Sequence, residues 1–240
     1  MLYASINTIF QLVNRYAAKN EQGFISVSDF NFYAPNAQQR LFQEVLSQYR
    51  MFLGNRQRYL TYWKNNYDSL EAIKDDLRTL QVDRVTLNPT TAPNIFAFPN
   101  DYSYYINLEV SNVPVTIIDN SFRNYYLQSR DAKPSATFPI GLLGQKDIEI
   151  FPETIEEGVK LSYYKFPQGV TTAGVKTTRL PTFAYTVVNG KELYNSTNSI
   201  DFELPKHLES RLAAIILSDI GIEIREADLL ALNQAPQNEQ

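Results

Sequence analysis

The sequence predicts an α+β protein: a helical bundle drawn from the N-terminal and C-terminal segments, with a β-rich module inserted between them. Three observations carry this expectation. Apolar residues recur at i, i+3 and i+4 through the first 86 residues. Pro89, Pro93, Pro99, Pro114, Pro134, Pro139, Pro152 and Pro167 then punctuate short β-prone runs. Helical spacing returns after Pro205, which suits a first helical position because its missing N–H costs nothing there. The expected division is a helical region over 1–88 packed with C-terminal helices over 205–232, and a β-rich module over 89–204. Residues 233–240 have no apolar group able to anchor them and are expected to be a mobile tail.

The elements follow in order. Ser5 caps a first helix whose stripe is Ile6, Ile9, Phe10, Val13, Tyr16 and Ala17, closed by Gly23. Ser26 or Ser28 caps a short turn through Asp29 and Phe30. That turn stops before Pro35, since the residue before proline avoids the helical region. Asn36 caps a stronger helix with Leu41, Phe42, Val45, Tyr49 and Phe52 on one face, interrupted at Gly54-Asn55. Tyr59, Tyr62 and Trp63 resume helical spacing, and Leu70, Ile73 and Leu77 continue it after Asp68. Strands are expected at Ile95–Phe98, Tyr104–Val110, Val115–Ile118, Ile148–Phe151, Val159–Tyr164 and Phe183–Val188. A short helix is expected at Ser121–Arg130, making its apolar contacts through Phe122, Tyr125 and Tyr126. Val188-Asn189-Gly190-Lys191 reads as a hairpin turn, because Asn-Gly readily adopts positive φ. In the terminal helix Leu208, Leu212, Ile215 and Ile216 form the stripe that meets Leu41, Val45 and Tyr49, with Gly221 as its stop. A shorter helix is expected from Glu226 to Leu232.

Composition narrows the function. The 240 residues carry 22 basic and 26 acidic side chains, a net charge of −4, whereas a dedicated nucleic-acid binder is usually strongly basic. The absence of cysteine excludes disulfides, thiolate nucleophiles and cysteine-ligated zinc. No apolar run approaches the ~20 residues of a membrane span, and no signal-peptide pattern opens the chain, so no membrane partner is expected.

Motifs for chemistry are sparse. His207 is the single histidine and no G-x-S-x-G accompanies it, so it reads as an ordinary residue near a helix start. Asp75-Asp76 and Glu156-Glu157 are adjacent pairs whose side chains diverge, which makes them solvated charge rather than metal ligands. Gly141-Leu-Leu-Gly144-Gln-Lys146 has the wrong spacing for a phosphate loop and reads as a β-turn. Asn195-Ser196-Thr197 is a chance match to a glycosylation acceptor. No catalytic, cofactor-binding or metal-ligating residue is assigned, and the expectation is a protein that is not an enzyme.

Charge is distributed unevenly. Residues 40–64 hold Arg40, Arg50, Arg56, Arg58 and Lys64 against Glu44 alone. Residues 200–240 hold Asp201, Glu203, Glu209, Asp219, Glu223, Glu226, Asp228 and Glu239 against three bases. One reading is two solvated helix faces. The sharper reading is complementary surfaces that meet between copies of the chain, a head-to-tail contact that closes into a ring if the rotation permits. The candidate subunit interface is then Arg56, Arg58, Tyr59 and Trp63 on one side, with Glu223, Glu226, Asp228 and Leu229 on the other.

Four stretches in order carry a resemblance. They are Gly23–Asn31 with Asn36–Phe42; Phe98-Pro-Asn-Asp-Tyr102 before the strand Tyr104–Val110; Ile148-Glu-Ile-Phe-Pro152 with Val159–Pro167; and Ser199–Pro205 leading to Gly221–Glu226. In this order the chain resembles the head-to-tail connector, or ring/adaptor, structural proteins of tailed bacteriophages, especially crAss-like phages. It is more distantly similar to the tail tubular adaptor of short-tailed phages. The resemblance implies a non-enzymatic virion protein made in the bacterial host's cytoplasm. It would form a homo-oligomeric ring, commonly dodecameric in that family, at the portal–tail interface. Its implied partners are other copies of itself, portal and tail proteins, and DNA in transient passage without sequence-specific binding. A mildly negative wall suits such a passage, since a basic lumen would hold phosphates. Two alternatives are a β-rich module of a phage tail or cell surface contacting glycans through tyrosines, and a small hydrolase with a carboxylate pair.

Overall fold

The helical periodicity of the N-terminal third folds into three helices in the computed structural model, which describes residues 3–19, 23–55, 63–90, 92, 94–189 and 191–221. In chain order these are α1 (Ile6–Lys19), α2 (Val27–Asn55) and α3 (Trp63–Leu77). Next come β1 (Gln81–Thr86), β2 (Ile95–Ala97), β3 (Tyr102–Val110), β4 (Val113–Pro114), β5 (Thr116–Ile118) and α4 (Arg123–Gln128). Then follow β6 (Ile140–Leu143), β7 (Asp147–Phe151), β8 (Val159–Lys165), β9 (Gly169–Thr171) and β10 (Lys176–Thr177). The hairpin β11 (Tyr185–Val188) and β12 (Lys191–Tyr194), β13 (Ile200–Phe202) and α5 (Glu209–Asp219) complete the order. Both helices and sheets are present, and the chain is α+β. The expected helix at 226–232 and the tail at 233–240 lie outside the described residues.

The chain divides into two units: residues up to Leu80 with those from Pro167 onward, and Gln81–Phe166. The inserted unit is therefore shorter than the 89–204 read from the sequence. Residues 167–204 sit with the helices because their polar backbone is satisfied there. Ala4 N–H donates to the Leu204 carbonyl at 2.8 Å, and Phe202 N–H donates back to the Ala4 carbonyl at 3.2 Å.

In the first unit α2 is continuous through Pro35, where the sequence implied a break. Proline removes one i→i−4 bond. Here packing overrides that loss, because Phe30, Ala34, Ala37 and Leu41 keep one fully buried face in step across the proline. Ser26, not Ser28, supplies the cap: Asp29 N–H donates to Ser26 Oγ at 3.1 Å, and Ser26 Oγ donates to Asp29 Oδ2 at 2.7 Å. α2 is described to Asn55, and residues 56–62, with Tyr59 and Tyr62 of the next expected helical stretch, lie outside the described residues.

Helix α5 packs on both α1 and α2. It buries Leu212, Ala213, Ile216 and Leu217, while Ile215 is only half-buried. The stripe read from the sequence thus rotates toward Leu217, since two helices rather than one cover α5. Strands β10, β9 and β13 form an antiparallel sheet in that order.

The second unit holds two four-stranded sheets, β1-β8-β3-β4 and β2-β7-β6-β5. Phe96, Ile148 and Ile150 of one share a core with Leu108, Val159 and Leu161 of the other. Strand β1 lies in the region read as helical. Its register with β8 shifts between Val82 and Val85, and Arg84 sits at φ 53°. That bulge breaks the alternation that would have marked a strand. The crossover between the parallel pair β5 and β6 contains α4, which is shorter than Ser121–Arg130. Tyr126 and Leu127 pack on Ile140, Leu142 and Phe151, but Phe122 and Tyr125 are exposed rather than packed as expected.

Gly169 lies where the backbone of the first unit is closely packed. A Cβ there would lie 2.2 Å from Ile200 Cγ2 and 2.7 Å from the Arg179 carbonyl oxygen. The second neighbour is backbone and cannot swing aside. Gly169→Ala should lower stability by about 1–3 kcal/mol in chemical denaturation, the usual cost of overpacking. An unchanged midpoint would show that β9 and β13 are not held this closely.

Candidate assembly surface

A hairpin with a fixed base and a bare body stands out in the first unit. The base is held by Asn31 of α2, whose Nδ2 donates to the Phe183 carbonyl at 2.9 Å while its Oδ1 accepts Phe183 N–H at 2.7 Å. One side chain thus pairs with the backbone as a strand would. Phe10, Phe30, Phe183 and Tyr194 pack around it, with ring centroids 4.2–6.4 Å apart. Beyond this base, Val188 pairs with Lys191 and Asn189 has φ 52°, as the Asn-Gly turn requires. Tyr185, Val187, Val188 and Leu193 are all exposed, and Val187 is 64% so. Adjacent residues of a strand face opposite ways, so the exposed apolar groups cover both faces of the ribbon. A two-stranded ribbon of this kind is marginal by itself.

Beside the hairpin, Phe24 is 85% exposed and walls two hollows. One, of about 530 Å³, is lined by Phe10, Asn14, Ile25, Tyr185 and Glu192; the other, of about 500 Å³, by Phe10, Gln11, Arg15 and Ala18. The second unit has its own exposed apolar groups: Phe122, Tyr125 and Phe138 on the β5–β6 crossover, and Leu143 at the end of β6. These residues were missed as a surface in the sequence. The signal was present in Tyr185-Thr-Val-Val188, whose apolar residues do not alternate.

Arg56, Arg58, Tyr59, Glu223, Glu226, Asp228 and Leu229 lie outside the described residues, and Trp63 opens α3. What is described of the two charge runs is largely spent within the chain. Arg40 pairs with Asp219, and Arg211 pairs with Glu44 at 2.6 Å, tying α2 to α5. Asp201, Glu203 and Glu209 are buried, so the reading of this acidic run as a solvated or partner-facing surface does not hold for them. Glu203 Oε2 accepts Gln168 N–H at 3.1 Å, and its Oε1 lies 3.3 Å from Lys176 Nζ. Burial holds the carboxyls of Asp201 and Glu209 above the usual range, partly offset by the N–H groups they accept. Burial, then the Asp201 charge, likewise raises the Tyr194 phenol.

The remaining motifs resolve as structure. His207 Nε2 lies 2.5 Å from Asp76 Oδ1, and Asp75 pairs with Arg78, so this acidic pair is engaged rather than simply solvated. Glu156 and Glu157 are exposed. Gly141 lies inside β6, where a Cβ would press on Ile117 and Val115, and Gly144 begins the turn into β7. Asn195 Oδ1 accepts the N–H groups of Thr197 and Asn198, folding its own turn. Among the described residues no cluster of acids and histidine has metal-ligand geometry, and no helix is long and apolar enough to cross a membrane. No family model matches the chain, and no curated protein is significantly similar to it.

Because His207 is 57% exposed and its bond to Asp76 is a surface pair, His207→Ala should shift stability by no more than about 1 kcal/mol. A larger loss in thermal or urea unfolding would show that the pair fixes α3 against the turn before α5.

Proposed function

We propose that the chain is a non-enzymatic structural protein of a tailed-phage virion, forming a ring with copies of itself in the head-to-tail connector between portal and tail. The reading rests on the ordered motifs of the sequence. The observation that carries it further is the hairpin β11–β12, anchored at its base and apolar on both exposed faces. Apolar surface of this kind marks a protein contact. Exposed apolar groups on the second unit provide another surface, as a heterologous ring contact requires. DNA would pass through the ring without being read.

The balance of forces differs from that implied by charge alone. Arg40, Glu44, Asp201, Glu203, Glu209 and Asp219 already have partners within the chain. Pairing of Arg56 and Arg58 with Glu223, Glu226 and Asp228 remains as a rim contribution, worth ~0–1 kcal/mol per exposed pair. Apolar contact is then the main adhesive, and salt screens it little.

Electron microscopy and native mass measurement of the protein mixed with its portal should find closed rings at both low and high salt. Phe24→Ser with Val187→Ser should shift the population toward monomer without changing the unfolding midpoint. A protein that stays monomeric on its portal, or binds glycans instead, would overturn the assignment. Rings that survive both substitutions would move the contact away from the hairpin.

A further inference from the structure

Residues 3–6 are held by two buried carboxylates. Ala4 exchanges backbone hydrogen bonds with Phe202 and Leu204, so the segment runs along β13 on the edge not taken by β9. The next two N–H groups find side chains instead. Ser5 N–H donates to Glu209 Oε1 at 2.9 Å, and Ile6 N–H donates to Asp201 Oδ1 at 2.8 Å. Asp201 is 5% exposed and Glu209 3%.

Two acids that accept adjacent N–H groups sit close enough to repel, and the Asp201 charge acts on Glu209. Among the described residues, the charged and titratable groups acting on them include Lys206 beside Glu209, from the turn before α5, and Tyr194 beside Asp201, from β12. The first turn of α1 contributes no acid, only its N-terminal N–H groups. Lys206 and the N-terminal end of α1 offset part of the two buried negative charges. A protonated carboxyl still accepts an N–H through its carbonyl oxygen, so the bonds survive proton uptake while the repulsion does not.

We propose that Asp201 and Glu209 form a proton-responsive clasp on the N-terminal segment. The closed clasp takes up protons in mild acid and lets residues 3–6 go more readily as both carboxyls ionise. The sign follows from linkage. In the open state both groups are solvated and titrate in the ordinary range, near 4. In the closed state burial raises both. Between these limits the closed state binds more protons, so closure weakens as pH rises through the raised values and is unaffected below the ordinary ones.

Amide hydrogen exchange of the whole chain tests this at Ser5 and Ile6. Protection corrected for intrinsic exchange should fall as pH rises above the ordinary carboxylate range and level off once both carboxyls are ionised, by up to about tenfold per pH unit for each proton released. Asp201→Asn with Glu209→Gln keeps an acceptor oxygen at each position and should remove the pH dependence. If that variant does not fold, carbon-13 titration of the wild-type carboxyls decides: both should titrate above the ordinary range. Protection that is flat with pH, or carboxyls that titrate near 4, would overturn the clasp.

Discussion

Strand β13 and its flanks are both buried and polar, and the first unit depends on that combination. The polar groups of this stretch tie together segments distant in sequence. Ser199 Oγ accepts Ala184 N–H at 2.9 Å, Asp201 takes Ile6 of α1, and Glu209 takes Ser5. Gln38 of α2 donates to the Gln168 carbonyl at 2.7 Å and accepts Glu203 N–H at 2.9 Å. Thr79 Oγ1 donates to the Glu203 carbonyl at 2.7 Å, and Lys176 Nζ donates to the Thr79 carbonyl at 3.0 Å. A buried polar group without a partner is expensive, so the segment admits one register only. A one-residue slip of β13 would turn Asp201 to the wrong face.

This constraint explains how a unit built from both ends of the chain closes. Apolar packing of α5 on α1 and α2 supplies attraction but little direction. The hydrogen-bonded segment before it supplies the direction and fixes where α5 begins. The residues between Gln81 and Phe166 are free to fold as a unit because they have their own apolar core. With several interior charges paired inside the chain, the outer surface keeps exposed aromatic and β-branched groups. The assembly proposal rests on that division between charge spent inside and apolar surface left outside.

Much of this was legible from periodicity, and the exceptions share a cause. The β3 and β8 strands, the Asn-Gly hairpin and the helices at both ends follow directly from spacing and turn chemistry. Pro35 misled because a local steric rule was applied where Phe30, Ala34, Ala37 and Leu41 already kept one face in step. Strand β1 was hidden by the bulge at Arg84, which removes the period-two signal. The acids of Ile200–Glu209 misled most, because a charged residue is rarely buried and Asp201, Glu203 and Glu209 are. Their partners are backbone N–H groups at a sequence separation of 195 and 204 for Asp201 and Glu209, which no local pattern reveals. The exposed hairpin was found as an element but not as a surface, since exposure depends on what fails to cover it.

Native-state hydrogen exchange in rising denaturant tests the role of β13 most directly. The amide of Glu203, bonded to Gln38 of α2, and those of the α5 core around Leu212 should open together, at one free energy and with one denaturant dependence. That result would make the β13 segment, α2 and α5 one cooperative unit. Exchange of Glu203 at a lower free energy, with α5 still protected, would contradict the account and leave β13 a passenger on a bundle held by apolar packing alone.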